Sequence, residues 1–139
     1  MEKRKSCIIT FSPTRTSAKV AAAVARGLQC EHVSEMDLTC HQLNEAVTVS
    51  ADSIAVISVP VYAGRVAPLA VQRLKQVHGE HTPAVLLTVY GNRDYEDALV
   101  ELRDLMQSQG FVPLAAAAFV GEHSYSRPGM PVAEGRPDA

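Results

Sequence analysis

The chain has 139 residues, 47% hydrophobic and 20% charged, which is the length of one domain with the apolar share of an ordinary globular protein. That excludes a disordered chain and leaves no room for a second large domain. Its 13 Lys+Arg against 15 Asp+Glu leave a net charge of −2, too balanced for a nucleic-acid-binding face, which needs a strong basic excess.

A domain of this size buries roughly 68–70% of the surface its unfolded chain exposes, so a core can form without disulfides or a structural metal. Cys7, Cys30 and Cys40 are odd in number and lack C-x-x-C spacing, and His32, His41, His78, His81 and His123 are scattered, so no metal is expected. No apolar run approaches the ~18 residues of a membrane helix, and Cys7 to Phe11 is too short for a signal-peptide core of about 7–15 residues. A cytoplasmic protein without a membrane partner is the expectation.

Cys7 to Phe11 is a short β-branched and aromatic run ending at Ser12-Pro13, which predicts a strand entering a turn. From Thr16 the period changes: Val20, Ala21, Val24, Ala25 and Leu28 recur at helical spacing, and Gly27 is expected to take part in the stop. Glu31 to Leu38 can hold a second strand, while Thr39 to Ser53 is weakly periodic and reads equally as loop or broken helix. Ile54 to Val59 is a nearly continuous apolar run closed by Pro60, as expected of a strand covered on both faces. A helix from Ala67 or Pro68 through Val77 follows, with Leu69, Ala70, Leu74 and Val77 inward and Gly79 ending it.

Ala84 to Val89 repeats the buried-strand pattern and runs into Tyr90-Gly91-Asn92. The next helix carries the stripe Ala98, Leu99, Leu102, Leu105 and Met106, with Asp94, Glu96 and Asp97 where the helix dipole favours carboxylates and Gly110 as its stop. Leu114 to Val120 is Ala-rich, yet its place after a completed βα unit predicts a last strand. The order β-α-β-(loop)-β-α-β-α-β with right-handed crossovers gives a doubly wound α/β sheet within a single domain, 1–139. Residues 121–139 carry no helical stripe and are expected to be irregular.

In such a sheet, ligands bind beyond the carboxyl ends of the strands where strand order reverses. Three loops qualify: 12–17, 60–65 and 90–95. The first, Ser12-Pro13-Thr14-Arg15-Thr16-Ser17, sets four hydroxyls between a strand and a helix N-terminus, where hydroxyls, free N–H groups and the dipole suit a phosphate monoester. Capping of the helix by Ser12 or Thr16 alone needs one hydroxyl, not four. The chain contains no G-x-G-x-x-G, no G-x-x-x-x-G-K-[ST] and no G-x-S-x-G.

These three loops, with Pro60-Val61-Tyr62-Ala63-Gly64-Arg65-Val66-Ala67-Pro68 and Tyr90-Gly91-Asn92-Arg93-Asp94-Tyr95 in order at strand ends, resemble the flavodoxin family. The likeness is closer to the flavodoxin-like domain of EFR1-type ferredoxin-linked flavoproteins, in which Gly121-Glu122-His123-Ser124-Tyr125-Ser126 and Gly135-Arg136-Pro137-Asp138 also recur. The resemblance implies five parallel strands in the order 2-1-3-4-5 and non-covalent FMN. It implies that Ser12, Thr14, Thr16 and Ser17 take the FMN phosphate, in a turn shared with Pro13 and Arg15. Pro60, Val61, Tyr62, Ala63 and Gly64 would form one overhang on the isoalloxazine ring, and Tyr90, Gly91, Asn92, Arg93 and Tyr95 the other. Aromatic faces suit a flat apolar ring, and glycines let backbone approach its edge.

Quieter roles stand beside these. Tyr90 fits the last core position of its strand, Gly64 and Gly91 fit simple turns, Arg65 and Arg93 fit solvated charges, Asp94 fits a helix N-cap, and His123 and Tyr125 fit surface-loop packing. Flavodoxins usually carry Gly where this chain has Arg15. If that position needs positive φ, a side chain costs about 1–2 kcal/mol, part of which a guanidinium–phosphate pair returns. The family also ends in a helix that the chain does not supply before Ala139, and the open sheet face this implies favours a homodimer. With no iron–sulfur cysteines, the redox partner is expected to be a separate chain, ferredoxin-like or a reductase. The function implied is electron transfer on FMN; a flavin-dependent NAD(P)H:quinone-type oxidoreductase and a flavodoxin-fold interaction domain without flavin are the alternatives.

Overall fold

A computed structural model describes residues 5–40, 42–62, 64–90 and 96–120. The elements are β1 (Lys5–Thr10), α1 (Thr16–Leu28), β2 (His32–Asp37), β3 (Val47–Val49), β4 (Ser53–Tyr62), β5 (Arg65–Val66), α2 (Pro68–Leu74), β6 (Val77–Gly79), β7 (Thr82–Tyr90), α3 (Glu96–Ser108) and β8 (Phe111–Val120). The main sheet runs β2-β1-β4-β7-β8 with every one of these pairs parallel. Counting only these five strands, this is the expected 2-1-3-4-5 order.

Alternation along the strands divides the core between two faces. Ile8, Val56, Leu87 and Val89 pack with Val20, Ala21 and Ala25 of α1 on one face. Cys7, Ile9, Ile57 and Leu86 pack with Ala70 and Leu74 of α2 and with Ala98, Leu102 and Met106 of α3 on the other. Burial on both faces is why Ile54 to Val59 reads as a continuous apolar run, and Ala55, Val56, Ile57 and Val59 are fully buried. The central strand is longer than its apolar run: β4 continues through Pro60 to Tyr62, and β5 folds back on it antiparallel. Pro60 does not stop the strand: it lies past the last β1–β4 pair, Thr10↔Ser58, and still pairs with Val89 of β7.

Four local expectations are corrected. First, α1 runs through Gly27 and stops at Gln29, which is left-handed at φ 54 and donates its N–H to the Arg26 carbonyl at 3.1 Å. Second, α2 ends at Leu74 rather than at Val77, and Leu69 is 44% exposed rather than inward. Third, Val77 is fully buried, but in β6, where it pairs with Val47 of β3 in a separate two-stranded parallel ladder. This ladder takes part of the segment 39–53. Fourth, Gly79 lies in β6 and not at a helix end, against Gly110: a Cβ on Gly79 would fall 2.8 Å from the Gly110 carbonyl oxygen. Gly110 itself ends α3 with φ +99, as its place after the stripe predicts. The expectations for residues 121–139, including the missing final helix, lie outside the described residues.

Candidate cofactor-binding site

The strand order reverses between β1 and β4: the chain leaves β1 for β2 on one side, and β4 for β7 on the other. Registers Thr10↔Ser58 and Pro60↔Val89 bring the ends of β1, β4 and β7 level. The loops that begin at Ser12, Pro60 and Tyr90 therefore leave one edge of the sheet from three adjacent strands, around the crevice where doubly wound sheets bind ligands.

In the first loop the hydroxyls divide by depth. Ser12 is 2% exposed, and its Oγ accepts the Ala18 N–H at 3.0 Å, so this residue does cap the helix. Ser17 is also buried, Pro13, Thr14 and Arg15 are exposed, and Thr16 is half-buried. The Thr14 hydroxyl donates to Thr16 Oγ1 at 3.3 Å, which gathers two hydroxyls over the start of α1. The Arg15 carbonyl accepts the Lys19 N–H at 3.1 Å. Thr16 and Ser17 open the helix, where N–H groups have no carbonyl four residues back and point out along the axis. Two free N–H groups, one exposed and one half-buried hydroxyl and the positive end of a 13-residue helix fit a phosphate dianion.

Arg15 is left-handed, at φ 71 and ψ −3, so the position does require the conformation that glycine adopts freely. Its guanidinium lies 3.6 Å from Asp37 Oδ2, with both side chains largely exposed, a geometry worth about 0–1 kcal/mol. That does not offset the backbone cost of about 1–2 kcal/mol. Arg15→Gly should therefore raise the unfolding free energy of the flavin-free protein by about 1 kcal/mol in urea titration, while removing a cation from the phosphate turn.

Asp37 and Thr39, which no local motif in the sequence marks, brace this turn. The Ser12 N–H donates to Thr39 Oγ1 at 2.8 Å, and both the Thr39 hydroxyl and its N–H donate to Asp37 Oδ1. Arg73 of α2 donates to the Leu38 and Thr39 carbonyls and stacks over Phe11, 5.7 Å from the ring centroid. The end of β2 is thus tied to the end of β1. The Thr39 hydroxyl bond, and after it the Thr39 N–H and Arg15, hold the Asp37 carboxyl below its usual value. A carboxyl lowered on folding stabilises above its unfolded pKa of about 3.9, and that contribution is lost as pH falls through the folded value. In acid-unfolding titrations the stability difference between wild type and Asp37→Asn should therefore shrink steadily below pH 4.

In the second loop, Val61↔Val66 and Tyr62↔Arg65 pair antiparallel, the Ala67 N–H donates to the Pro60 carbonyl at 3.1 Å, and Gly64 takes φ +81 at the bend. This hairpin carries Tyr62 out at 49% exposure. Pro60, Val61 and Gly64 are half-buried. Tyr90 ends β7, half-buried and level with Val120. Ala63, Gly91, Asn92, Arg93 and Tyr95 lie outside the described residues, as do His123 to Ser126. Among the described residues three buried hydroxyls have no partner, Ser6, Ser58 and Thr88; Ser6 lies near the start of β1, and Ser58 and Thr88 each sit two residues before an overhang, on strands that floor the crevice. An unmet buried hydroxyl costs about 1–3 kcal/mol. Among the described residues no cluster of three or more His, Cys, Asp or Glu is arranged for a metal, and no helix is long and apolar enough to cross a membrane.

No family model matches the sequence, and no curated protein matches it. Solved structures do match. The chain is similar to a flavoprotein in complex with FMN from Lactobacillus acidophilus NCFM, with 10% identity and a TM-score of 0.58 over 83% of this chain and 93% of that one. It is similar to the flavodoxin of Streptococcus pneumoniae TIGR4, with 14% identity and a TM-score of 0.58 over 87% and 88%. It is also similar to an NADH:FMN oxidoreductase in its apo form, with 16% identity and a TM-score of 0.60 over 85% and 75%. At these identities the likeness is one of fold, and the fold is flavodoxin-like.

Proposed function

We propose that this chain is an FMN-binding electron-transfer protein whose phosphate seat is the turn 12–17. The observation that carries this reading is the construction of that turn. Buried Ser12 caps α1 from within, which leaves the Thr16 and Ser17 N–H groups and the Thr16 hydroxyl for an outside anion, with the Thr14 hydroxyl able to join them by turning from Thr16 to the anion. Beside it, the hairpin at the end of β4 presents Tyr62, a side chain able to stack on a flat apolar ring. Bound FMN supplies one- or two-electron transfer, and the protein tunes it through hydrogen bonds at the ring edge, stacking and burial. The side chains here bind, orient and exclude water; none is required as acid, base or nucleophile.

The similar solved structures support this reading, since one is a flavoprotein in complex with FMN and another a flavodoxin. The resemblance of the loop segments to those of ferredoxin-linked flavoproteins supports a ferredoxin-like or reductase protein as electron partner. The NADH:FMN oxidoreductase among the neighbours supports a second reading, in which a nicotinamide binds above the ring. One titration separates the two. Apoprotein mixed with FMN should quench flavin fluorescence to a one-to-one endpoint, and the loaded protein should not consume NADH or NADPH with a quinone in steady state. Sustained consumption would favour the oxidoreductase, and no uptake of FMN would leave only a flavodoxin-fold interaction domain.

A further inference from the structure

We propose that Glu101 of α3 is a positioning residue for the flavin ring: it holds the Tyr62 hairpin in place and sets its geometry against the helix that follows the second overhang. The inference rests on the flavin reading above. Glu101 Oε1 accepts the Val66 N–H at 2.9 Å and Arg65 Nε at 3.1 Å, while Oε2 accepts Arg65 Nη2 at 3.1 Å. These bonds cross 35 and 36 residues of sequence and join β5 to α3. The Glu101 side chain is only 23% exposed against 65% for Arg65, so the carboxylate is drawn in over the hairpin rather than splayed into water.

The hairpin needs such a tie. β5 is two residues long and pairs only with the end of β4, and a two-stranded ribbon is marginal by itself in water. Val66 and Ala67 anchor it from below, each 1% exposed. From outside, one carboxylate takes a bidentate guanidinium and a backbone N–H together, the strongest hydrogen-bond geometry available to a side chain of this kind. The Glu101 hydrogen bond and charge raise the Arg65 guanidinium above its ordinary value. Glu101 lies five residues into α3, whose first residue, Glu96, directly follows the loop 90–95. One side chain thus links the segments that would carry both overhangs.

The experiment compares wild type, Glu101→Ala and Glu101→Gln. Gln keeps an oxygen for the Val66 N–H but loses the fork on Arg65. In flavin-free protein, amide exchange of Val66 should quicken in Glu101→Ala and remain closer to wild type in Glu101→Gln. In flavin titrations Glu101→Ala should bind FMN roughly tenfold more weakly, the scale of lost preorganisation. Riboflavin should weaken by the same factor, because the phosphate turn is untouched, and the midpoint potential of bound flavin should shift. Glu101→Gln should recover most of both. Faster exchange with unchanged flavin affinity and potential would reduce Glu101 to a purely structural tie and overturn the proposal. So would a loss confined to FMN. Wild-type protein that takes up neither flavin would overturn the flavin reading itself, before any variant is made.

Discussion

Replacing Thr14 and Thr16 together by alanine should weaken FMN binding roughly a hundredfold while leaving riboflavin binding nearly unchanged. Hydrogen bonds to a charged group contribute about 1.5–3 kcal/mol each, and both hydroxyls lie at or near the solvent surface, so the lower end applies. Two such bonds amount to about 3 kcal/mol, or two orders of magnitude in affinity. The fold should tolerate the change, because Ser12 and not Thr14 or Thr16 caps α1. Fluorescence titration with the two flavins measures it directly. Equal losses for FMN and riboflavin would mean that the turn acts through ring placement and not through phosphate. Arg15→Gly should push the same way on FMN while stabilising the empty protein, a divergence that a merely structural turn does not produce.

The largest expected effect on stability lies far from this site. Gly110→Ala should cost about 3 kcal/mol or more, because two penalties coincide. The residue has φ +99, which side chains rarely adopt, and the added Cβ would collide with the Gly79 carbonyl oxygen. The neighbourhood cannot easily yield, since the Gly79 N–H donates to the Gln109 carbonyl at 2.8 Å and the His81 N–H to the Gly110 carbonyl at 2.9 Å. Backbone is thus locked to backbone where α3 turns into β8. Urea unfolding monitored by circular dichroism should show a large drop in midpoint with an unchanged slope. A loss below about 1 kcal/mol would mean the two glycines are less tightly apposed than their positions require.

The frame of the fold is legible in the sequence because buried parallel strands announce themselves: β4 and β7 are near-continuous apolar runs, and α1 and α3 carry clean helical stripes. What resists reading is short. Val47–Val49 and Val77–Gly79 are three residues each, too brief for any period, and they become strands only by pairing across the chain. Val77 continues the spacing of α2 well enough to pass as its last inward residue. The helix stops earlier, at Leu74, and in the tertiary structure the Gln76 carbonyl accepts the Val47 N–H at 2.9 Å.

The site divides in the same way. The hydroxyl turn is a local feature readable from a strand-turn-helix junction, whereas the left-handed demand on Arg15 is signalled only by the resemblance to flavodoxins, which usually carry Gly there. Thr39 and Glu101 act across 27 to 36 residues, Asp37 braces Thr39 from two residues away, and no periodicity marks them. An acidic residue on an exposed helix resembles any solvated charge until the hairpin it holds is in view. Arg65, which fits a solvated charge in the sequence, is instead one arm of that clamp.

A crystal of this protein grown with FMN tests the central claim most directly. The account predicts the phosphate within hydrogen-bond reach of the Thr16 and Ser17 N–H groups and the Thr14 hydroxyl, with the ring against the Tyr62 hairpin. Phosphate seated anywhere else, or a turn 12–17 that stays empty at saturating FMN, would contradict it.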